Sequence, residues 1–468
     1  MTTFELPRFA RMTLTITHRS TILMITILKS TLTFLMIVTV HLSFAQNSNP
    51  QKYSLTKCVE VGLKNNINII RSENALLSSG AQKKQAFGAL IPSVDASATW
   101  TRSDREQYRI RNNQFFTSRD NFSASLQANL TLFDGFANLA TVDQAIMNQR
   151  STEFDLQRTK QDIIFQVQAQ YYNVLRFKQL LTVSEENLKR SRKQLERIVE
   201  FNRVGSVPLA DVYRQQVQVG RDELSLIQAD NDVKNSIADL VFLIGVKQQE
   251  NFDIEEPAVD ALVDSIVVKE FHNQLRDYNK VVRQAIGDRA DYSSVLEQRL
   301  SSQVGVRIAR SGYFPSISAF ASYGWSDPEA SEFFKDIKTK DIFSYGLSLN
   351  IPILSNFRTS SAVEQAIISE RNAHENVYQL ERQIGVQIKK AMNQLEAAEK
   401  NIETARRNLF AAREDLRIAE ERYAIGAGTL LDQITANTSF IAAQSDNVNS
   451  IYNYLTARKQ VEYYIGKN

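Results

Sequence analysis

Three sets of residues in this chain could carry chemistry. The first is a pair of glycine turns followed by aspartates, "FNRVGSVPLAD" at 201–211 and "YAIGAGTLLD" at 423–432. A phosphate-binding loop uses such glycines, but "GAGTLL" lacks the Lys-Ser/Thr that completes one, so Gly426 and Gly428, like Gly205, are better used to turn the chain. Asp211 and Asp432 fall where the next helices begin, and a carboxylate there meets the unpaired N–H groups of a helix N-terminus. The second set is histidine. Past residue 46 only His272 and His374 occur, far apart, which leaves little material for a metal site or histidine-based catalysis. The third is Cys58, whose solitude excludes an intramolecular disulfide and a multi-cysteine zinc site; it reads as a small core residue on a helix. The other carboxylates lie among lysines and arginines on helical stretches, as solvated faces do. No enzyme, cofactor or metal is expected, and energy for any work must come from a partner.

The elements that position these turns are long. Only 8 prolines and 16 glycines punctuate 468 residues, and the formal charge of +3 offers no concentrated basic face for nucleic acid. Residues 1–45 read as a signal peptide: Arg8, Arg11, Arg19 and Lys29 precede the apolar run "LTFLMIVTV", and Ser43 and Ala45 suit cleavage before Gln46. No cysteine follows that run to take a lipid. No later stretch approaches the roughly 20 apolar residues of a membrane-crossing helix, so the exported chain is expected to be soluble or inserted as strands.

The chain is written twice. "LFDGFANLATVDQA" (132–145) matches "ILSNFRTSSAVEQA" (353–366) at an offset of 221, which also relates Gly205 to Gly426, Asp211 to Asp432 and Gly245 to Gly466. Upstream, "LIPSVDASATW" matches "YFPSISAFASYGW" at an offset of 223. The first repeat is expected over 46–246 and the second over 276–468, with 247–275 between them. Each contains a seven-residue ladder, Val167, Val174, Leu181, Leu188, Leu195 and then Ile388, Leu395, Ile402, Leu409, Leu416, set among Gln, Glu, Lys and Arg as a coiled-coil seam requires. From Phe136 to Phe201 no proline interrupts a helix that would be on the order of 100 Å long. Its tip turns are expected near 203–208 and 424–429. A generic coiled-coil rod accounts for this region equally well.

Ahead of each long helix the period changes to two. Strands are expected at about 93–102, 121–133, 316–326 and 342–352, with apolar rows such as Val94, Ala96, Ala98, Trp100 and Phe343, Tyr345, Leu347, Leu349 facing away from Ser, Thr, Asn and Gln. Residues 103–118 read as the loop between the first two strands. The strand lengths approach the ~9–11 residues of tilted membrane strands, with Trp100, Tyr323, Trp325, Phe343 and Tyr345 as interfacial aromatics. A soluble sandwich with one buried face is the alternative. Four strands leave open edges, untenable in hydrocarbon, and are too few to close alone; three chains would supply twelve.

"SLTKCVEVGLKNN", "LIPSVDAS", "LTLFDGFANLATVDQA" and the two glycine–aspartate turns, in this order, resemble the TolC-type outer-membrane efflux proteins. The resemblance covers essentially the whole mature chain. It implies an internally duplicated α+β membrane protein: a homotrimer closing one twelve-stranded outer-membrane β-barrel, four strands per chain, continued by a long α-helical coiled-coil periplasmic tube. Segment 247–275 would girdle the tube as an equatorial region. The implied role is a passive exit duct of a tripartite efflux pump or type I secretion system in the outer membrane of a Gram-negative bacterium. Implied partners are a periplasmic adaptor (membrane fusion) protein, an inner-membrane pump or ABC-type transporter, and outer-membrane lipid. A non-conducting, strand-anchored structural or adhesive protein is the alternative. By the same resemblance, Gly205, Ser206, Asp211, Tyr423, Gly426, Ala427, Gly428 and Asp432 form the narrowed periplasmic mouth where the adaptor docks. Tyr423 and Asp432 match its polar links, while Gly428 stands where well-known members carry arginine and Thr435 where they carry a second aspartate.

Overall fold

The computed structural model describes residues 52–111, 114–247, 252–257, 277–327 and 341–467. The expected signal peptide and most of the segment 247–275 lie outside the described residues. The chain divides into two compact units. The smaller joins residues up to Tyr53 with 249–253; its described part includes β1 (Lys52–Tyr53) and the start of β4 (Asp253–Ile254), with the Tyr53 ring centred 4.8 Å from that of Phe252.

The larger unit runs twice through one element order. The first pass is α1 (Leu55–Asn65), α2 (Ile67–Gly88), β2 (Ser93–Arg111), β3 (Gln114–Phe133), α3 (Ala137–Arg203) and α4 (Leu209–Ile244). The second is α5 (Tyr278–Asp288), α6 (Ala290–Ser311), β5 (Ser316–Asp327), β6 (Asp341–Asn350), α7 (Arg358–Ala424) and α8 (Leu430–Tyr464). Equivalent helices match in length, 11 and 11, 22 and 22, 67 and 67, 36 and 35 residues. Their junctions match too. Asn66, which caps α2 through Asn68 N (2.8 Å), also donates from Nδ2 to the Leu243 carbonyl at 2.7 Å; at the equivalent place Arg289 donates from Nη1 to the Tyr464 carbonyl. Gly245 (φ 70°) and Gly466 (φ 81°) lie against Asn65 and Asp288, where an added Cβ would come within 2.5 and 3.0 Å. Glycine is required at Gly245 twice over, for its left-handed backbone and for the approach of Asn65 O.

Long helices form because the seven-residue ladders find partners. Val167, Val174, Leu188, Ile388, Leu395, Ile402 and Leu416 are all buried, Val167 against Gly62 of α1, and α3 packs on α4 as α7 does on α8. Around the C-terminal end of α8 a charged network forms and reaches α3 of the first repeat, where Arg158 lies 3.9 Å from Asp291. Arg289, 1% exposed, donates to both Asp291 oxygens (2.9 and 2.5 Å) and to Gln387 Oε1 (2.9 Å). Arg158 lies 4.2 Å over the Tyr463 ring and pairs with Asp162 at 2.9 Å, while the Tyr463 hydroxyl donates to Asp162 at 2.7 Å. Burial works against the ionised form of Asp291, but the hydrogen bonds and charge of Arg289, with the charge of Arg158, outweigh it and hold its pKa below the usual carboxylate value.

The four longer strands form one antiparallel sheet in the order β2-β3-β5-β6. Two expectations need correction here. The first hairpin does not become a loop at 103–118: β2 and β3 continue to Arg111 and from Gln114, with Gln107 opposite Ser118 and a register shift between Arg102 and Gln107. That shift breaks the alternation by which a strand is read, and the outer part is carried by backbone pairing between largely polar side chains. The last strand stops at Asn350 rather than 352, because Pro352 has no N–H for the ladder. Helix α4 likewise meets a proline at its boundary: Pro208 occupies its N-cap with extended backbone (φ −72°, ψ 151°).

Candidate functional site

Each long hairpin turns the same way at its far end. In the first, Gly205 (φ 78°) donates to the Asn202 carbonyl at 2.9 Å and Ser206 to the Phe201 carbonyl at 2.8 Å. In the second, Gly426 (φ 76°) donates to Tyr423 O at 3.1 Å and Ala427 to Arg422 O at 2.8 Å. This double closure around a left-handed residue is the Schellman motif, and it satisfies carbonyls that the helix end would leave unpaired. No atom lies within 4 Å of a Cβ built on either Gly205 or Gly426, so both turns present bare backbone outward.

The returning helices begin differently. Asn202 donates to the Val207 carbonyl at 2.8 Å to brace the first turn, and α4 then starts from Pro208 with no side-chain cap. Helix α8 starts from a full capping box: Thr429 Oγ1 accepts from Asp432 N (3.2 Å) and Asp432 Oδ2 accepts from Thr429 N (3.0 Å). These backbone and hydroxyl bonds from Thr429 lower the Asp432 pKa. Gly428 serves packing: a Cβ there would meet Arg422 Cβ at 3.1 Å, and Arg422 Nη2 reaches the Ala427 carbonyl at 3.3 Å. Thr435 turns its hydroxyl back to the Leu431 carbonyl at 2.9 Å.

The two turns sit side by side. Ile198, Val212 and Leu430 form a buried cluster, with Leu195, Val207, Tyr423 and Ile434 packed around it, so residues of both hairpins share one small core. Beside it opens a cleft in which Ser206 and Asp211 of the first hairpin meet Tyr423, Gly426 and Gly428 of the second. Asp211 takes a hydrogen bond from Arg214 at 3.0 Å; its side chain is 13% exposed against 63% for Arg214, so the pair is half in water and holds weakly. The Tyr423 hydroxyl is buried with no hydrogen-bond partner among the described residues. Burial first, and then the charge of Asp211, push its pKa up.

Sequence reasoning passed over the layer just above. Gln194 donates to Gln433 at 3.0 Å, Asn437 to Asn187 at 3.1 Å, and Gln215 to the Ser191 carbonyl at 3.0 Å, all between helices near the tip. Gln215, Asn187 and Gln433 are buried. Only their interruption of the apolar periodicity marks them in the sequence.

At the other end, the register puts the four apolar rows on one face. Trp100 is opposite Phe122, Leu126 opposite both Ala96 and Tyr323, Tyr323 opposite Phe343, and Ala321 opposite Tyr345. Trp100, Phe343, Tyr345 and Leu347 are exposed, whereas Trp325 is only 5% exposed in the single chain. On the reverse face, Ser97–Ser125 (2.9 Å) and Ser322–Ser344 (2.7 Å) bond across strands. Strands β2 and β6 are the two edges. No described helix is long and apolar enough to cross a membrane, and no group of three or more His, Cys, Asp and Glu among the described residues could hold a metal.

A model of the family described as outer membrane efflux protein matches residues 60–246 and 281–467, two stretches related by the 221-residue offset. Outer membrane protein TolC of Escherichia coli (strain K12) is 24% identical over 423 residues, covering 84% of this chain and 80% of that protein. Crystal structures of CusC superpose with a TM-score of 0.74 at 16% identity over 91% of this chain and 96% of that one. The outer membrane protein VceC of Vibrio cholerae gives 0.73 at 18% identity over 88% and 96%.

Proposed function

Because this chain belongs to the outer membrane efflux protein family, we propose that it is a passive outer-membrane exit duct of a tripartite efflux pump or type I secretion system. The observation that carries the reading furthest is the sheet: one apolar face, one hydroxyl- and amide-rich face, and unpaired edges at β2 and β6. In lipid those edges must be paired, and three copies supply twelve strands for one barrel whose polar face lines water. The paired helices continue the duct into the periplasm. At their far ends six glycine turns, two from each copy, ring the mouth, where bare backbone allows an adaptor's helices to approach and an inner-membrane transporter to feed the tube. Closure there relies on the shared apolar core around Leu430 and on the Tyr423–Asp211 juxtaposition, since Gly428 and Thr435 offer no charge.

Two measurements test this. The purified protein is expected to conduct ions in planar bilayers; a membrane-inserted oligomer that never conducts, even with an adaptor present, would instead be a strand-anchored rod. A photo-crosslinking residue at Ala427 or Ser206 is expected to capture a periplasmic adaptor in cells. Capture only from the outer hairpin at 103–118 would move docking away from the turns.

A further inference from the structure

Just above the shared core at the tip, Arg190, Lys193 and Arg197 stand three and four residues apart on one stripe of α3. Like charges at that spacing repel and destabilise a helix. The packing does not call for them: the 221-residue shift carries them to Ala411, Glu414 and Ile418 of α7, where an equivalent helix forms without the stripe. Nor are they neutralised nearby. Arg190 comes no closer than 3.9 Å to Glu186, and Lys193 and Arg197 have no ion pair among the described residues.

All three line a cleft of about 180 Å³ whose other walls come from α4 and from the second hairpin. Glu420 of α7 is the one carboxylate on its lining among the described residues, so the cleft carries an excess of positive charge. It also holds donors that nothing in the chain answers. The Nε and Nη2 atoms of Arg190, whose guanidinium lies 5.3 Å from the centre of the Phe440 ring on α8, are buried and make no hydrogen bond among the described residues. Gln433, 6% exposed, accepts from Gln194 through Oε1, and its amide nitrogen makes no hydrogen bond among the described residues. Buried donors are costly to leave unanswered, charged ones most of all.

We propose that this cleft is a site for a doubly charged tetrahedral oxyanion, inorganic phosphate or sulfate. Arg190, Lys193 and Arg197 supply the charge and the donors that such an anion takes, and the Gln433 amide donates from the other hairpin. The volume suits one such ion with a few waters, at ~30 Å³ for each water. A bound anion then joins α3 to α8 beside Ile434, which packs on the core around Leu430, and holds the two hairpins together. The site stands on the cleft alone; its effect on the mouth rests on the duct proposed above.

The test uses the full-length purified protein with no partner present. Titration calorimetry with sodium phosphate, at an ionic strength held constant with sodium chloride, is expected to show saturable binding for which sulfate competes. Lys193→Gln combined with Arg197→Gln, both at exposed positions that the fold tolerates, is expected to weaken that binding about tenfold or more, the worth of a charge-assisted hydrogen bond. Lys189→Gln removes an exposed charge from the same helix but outside the cleft, and is expected to leave binding within about twofold. In planar bilayers, phosphate at constant ionic strength is expected to lower the open fraction of the parent channel and to leave the double variant unchanged. Absence of saturable phosphate binding, or equal weakening by Lys189→Gln, would overturn the site. Binding that leaves the open fraction of a conducting parent unaltered would overturn the bridge between hairpins. A parent that binds phosphate yet never conducts would overturn the duct and leave the site standing.

Discussion

Leu347→Arg is expected to abolish assembly in the outer membrane, while Ser348→Arg, one residue along, leaves it intact. Leu347 is 71% exposed in the single chain, lies opposite Ala319 in the middle of β6, and belongs to the face that carries Tyr345 and Leu349. An arginine on a lipid-facing strand near the bilayer centre costs roughly 2–4 kcal/mol, and a three-fold assembly bears that cost three times. Ser348 lies opposite Ser318 on the other face, where a charge would meet water and change conductance rather than insertion. The measurement is the amount of unheated oligomer in outer-membrane fractions. Equal amounts from both variants would show that the apolar face does not meet lipid.

The second large effect is expected at Arg289. Its guanidinium is nearly inaccessible and joins Asp291, Gln387 and the Tyr464 carbonyl, so Arg289→Ala removes the buried member of an ion pair and leaves Asp291, 23% exposed, with Arg158 at 3.9 Å. Losing these charge-assisted hydrogen bonds is worth about 1.5–3 kcal/mol, more than an exposed surface pair contributes. A thermal melt in detergent would read it. The effect depends on pH with a definite sign. The folded pKa of Asp291 is depressed, so the pair's contribution is fully present above the unfolded carboxylate pKa of about 3.9 and is lost as pH falls through the lower folded value. The gap between wild type and Arg289→Ala should therefore be constant near neutrality and narrow below about pH 4. A gap that did not change with acid would mean that the carboxylate is not the partner that matters.

Much of this architecture was legible because it rests on periodicity and repetition. Seven-residue ladders give long helices, two-residue alternation gives strands, and the 221-residue echo gives Gly205 and Gly426 one turn geometry. Features that depend on pairing across long distances were not. The outer half of the β2–β3 hairpin has no alternation to read, yet its backbone partners hold it. The buried amides Gln215 and Gln433 look like surface residues until α3, α4 and α8 are brought together. Arg289 reads as one more charge in a polar stretch, although its equivalent is the uncharged Asn66 and it joins Asp291, Gln387 and the Tyr464 carbonyl. Trp325 fits an alternating row as well as Trp100 does, but only Trp100 stands exposed, stacked on Phe122 and donating to Asp120 at 3.0 Å.

The inequality of the two β-hairpins also has a consequence. Strands β2 and β3 run 19 and 20 residues, against 12 and 10 for β5 and β6. At about 3.3 Å per residue the first pair carries an extra length of a few tens of ångströms, all of it beyond the end that joins the long helices. If three copies close one ring as proposed, its described strands form a three-pointed crown at the end away from the long helices, however closely the lower parts approach six-fold repetition. Among the described residues, the outer ends of β2 and β3 would then be the first that antibodies, bacteriophages and proteases arriving from outside meet.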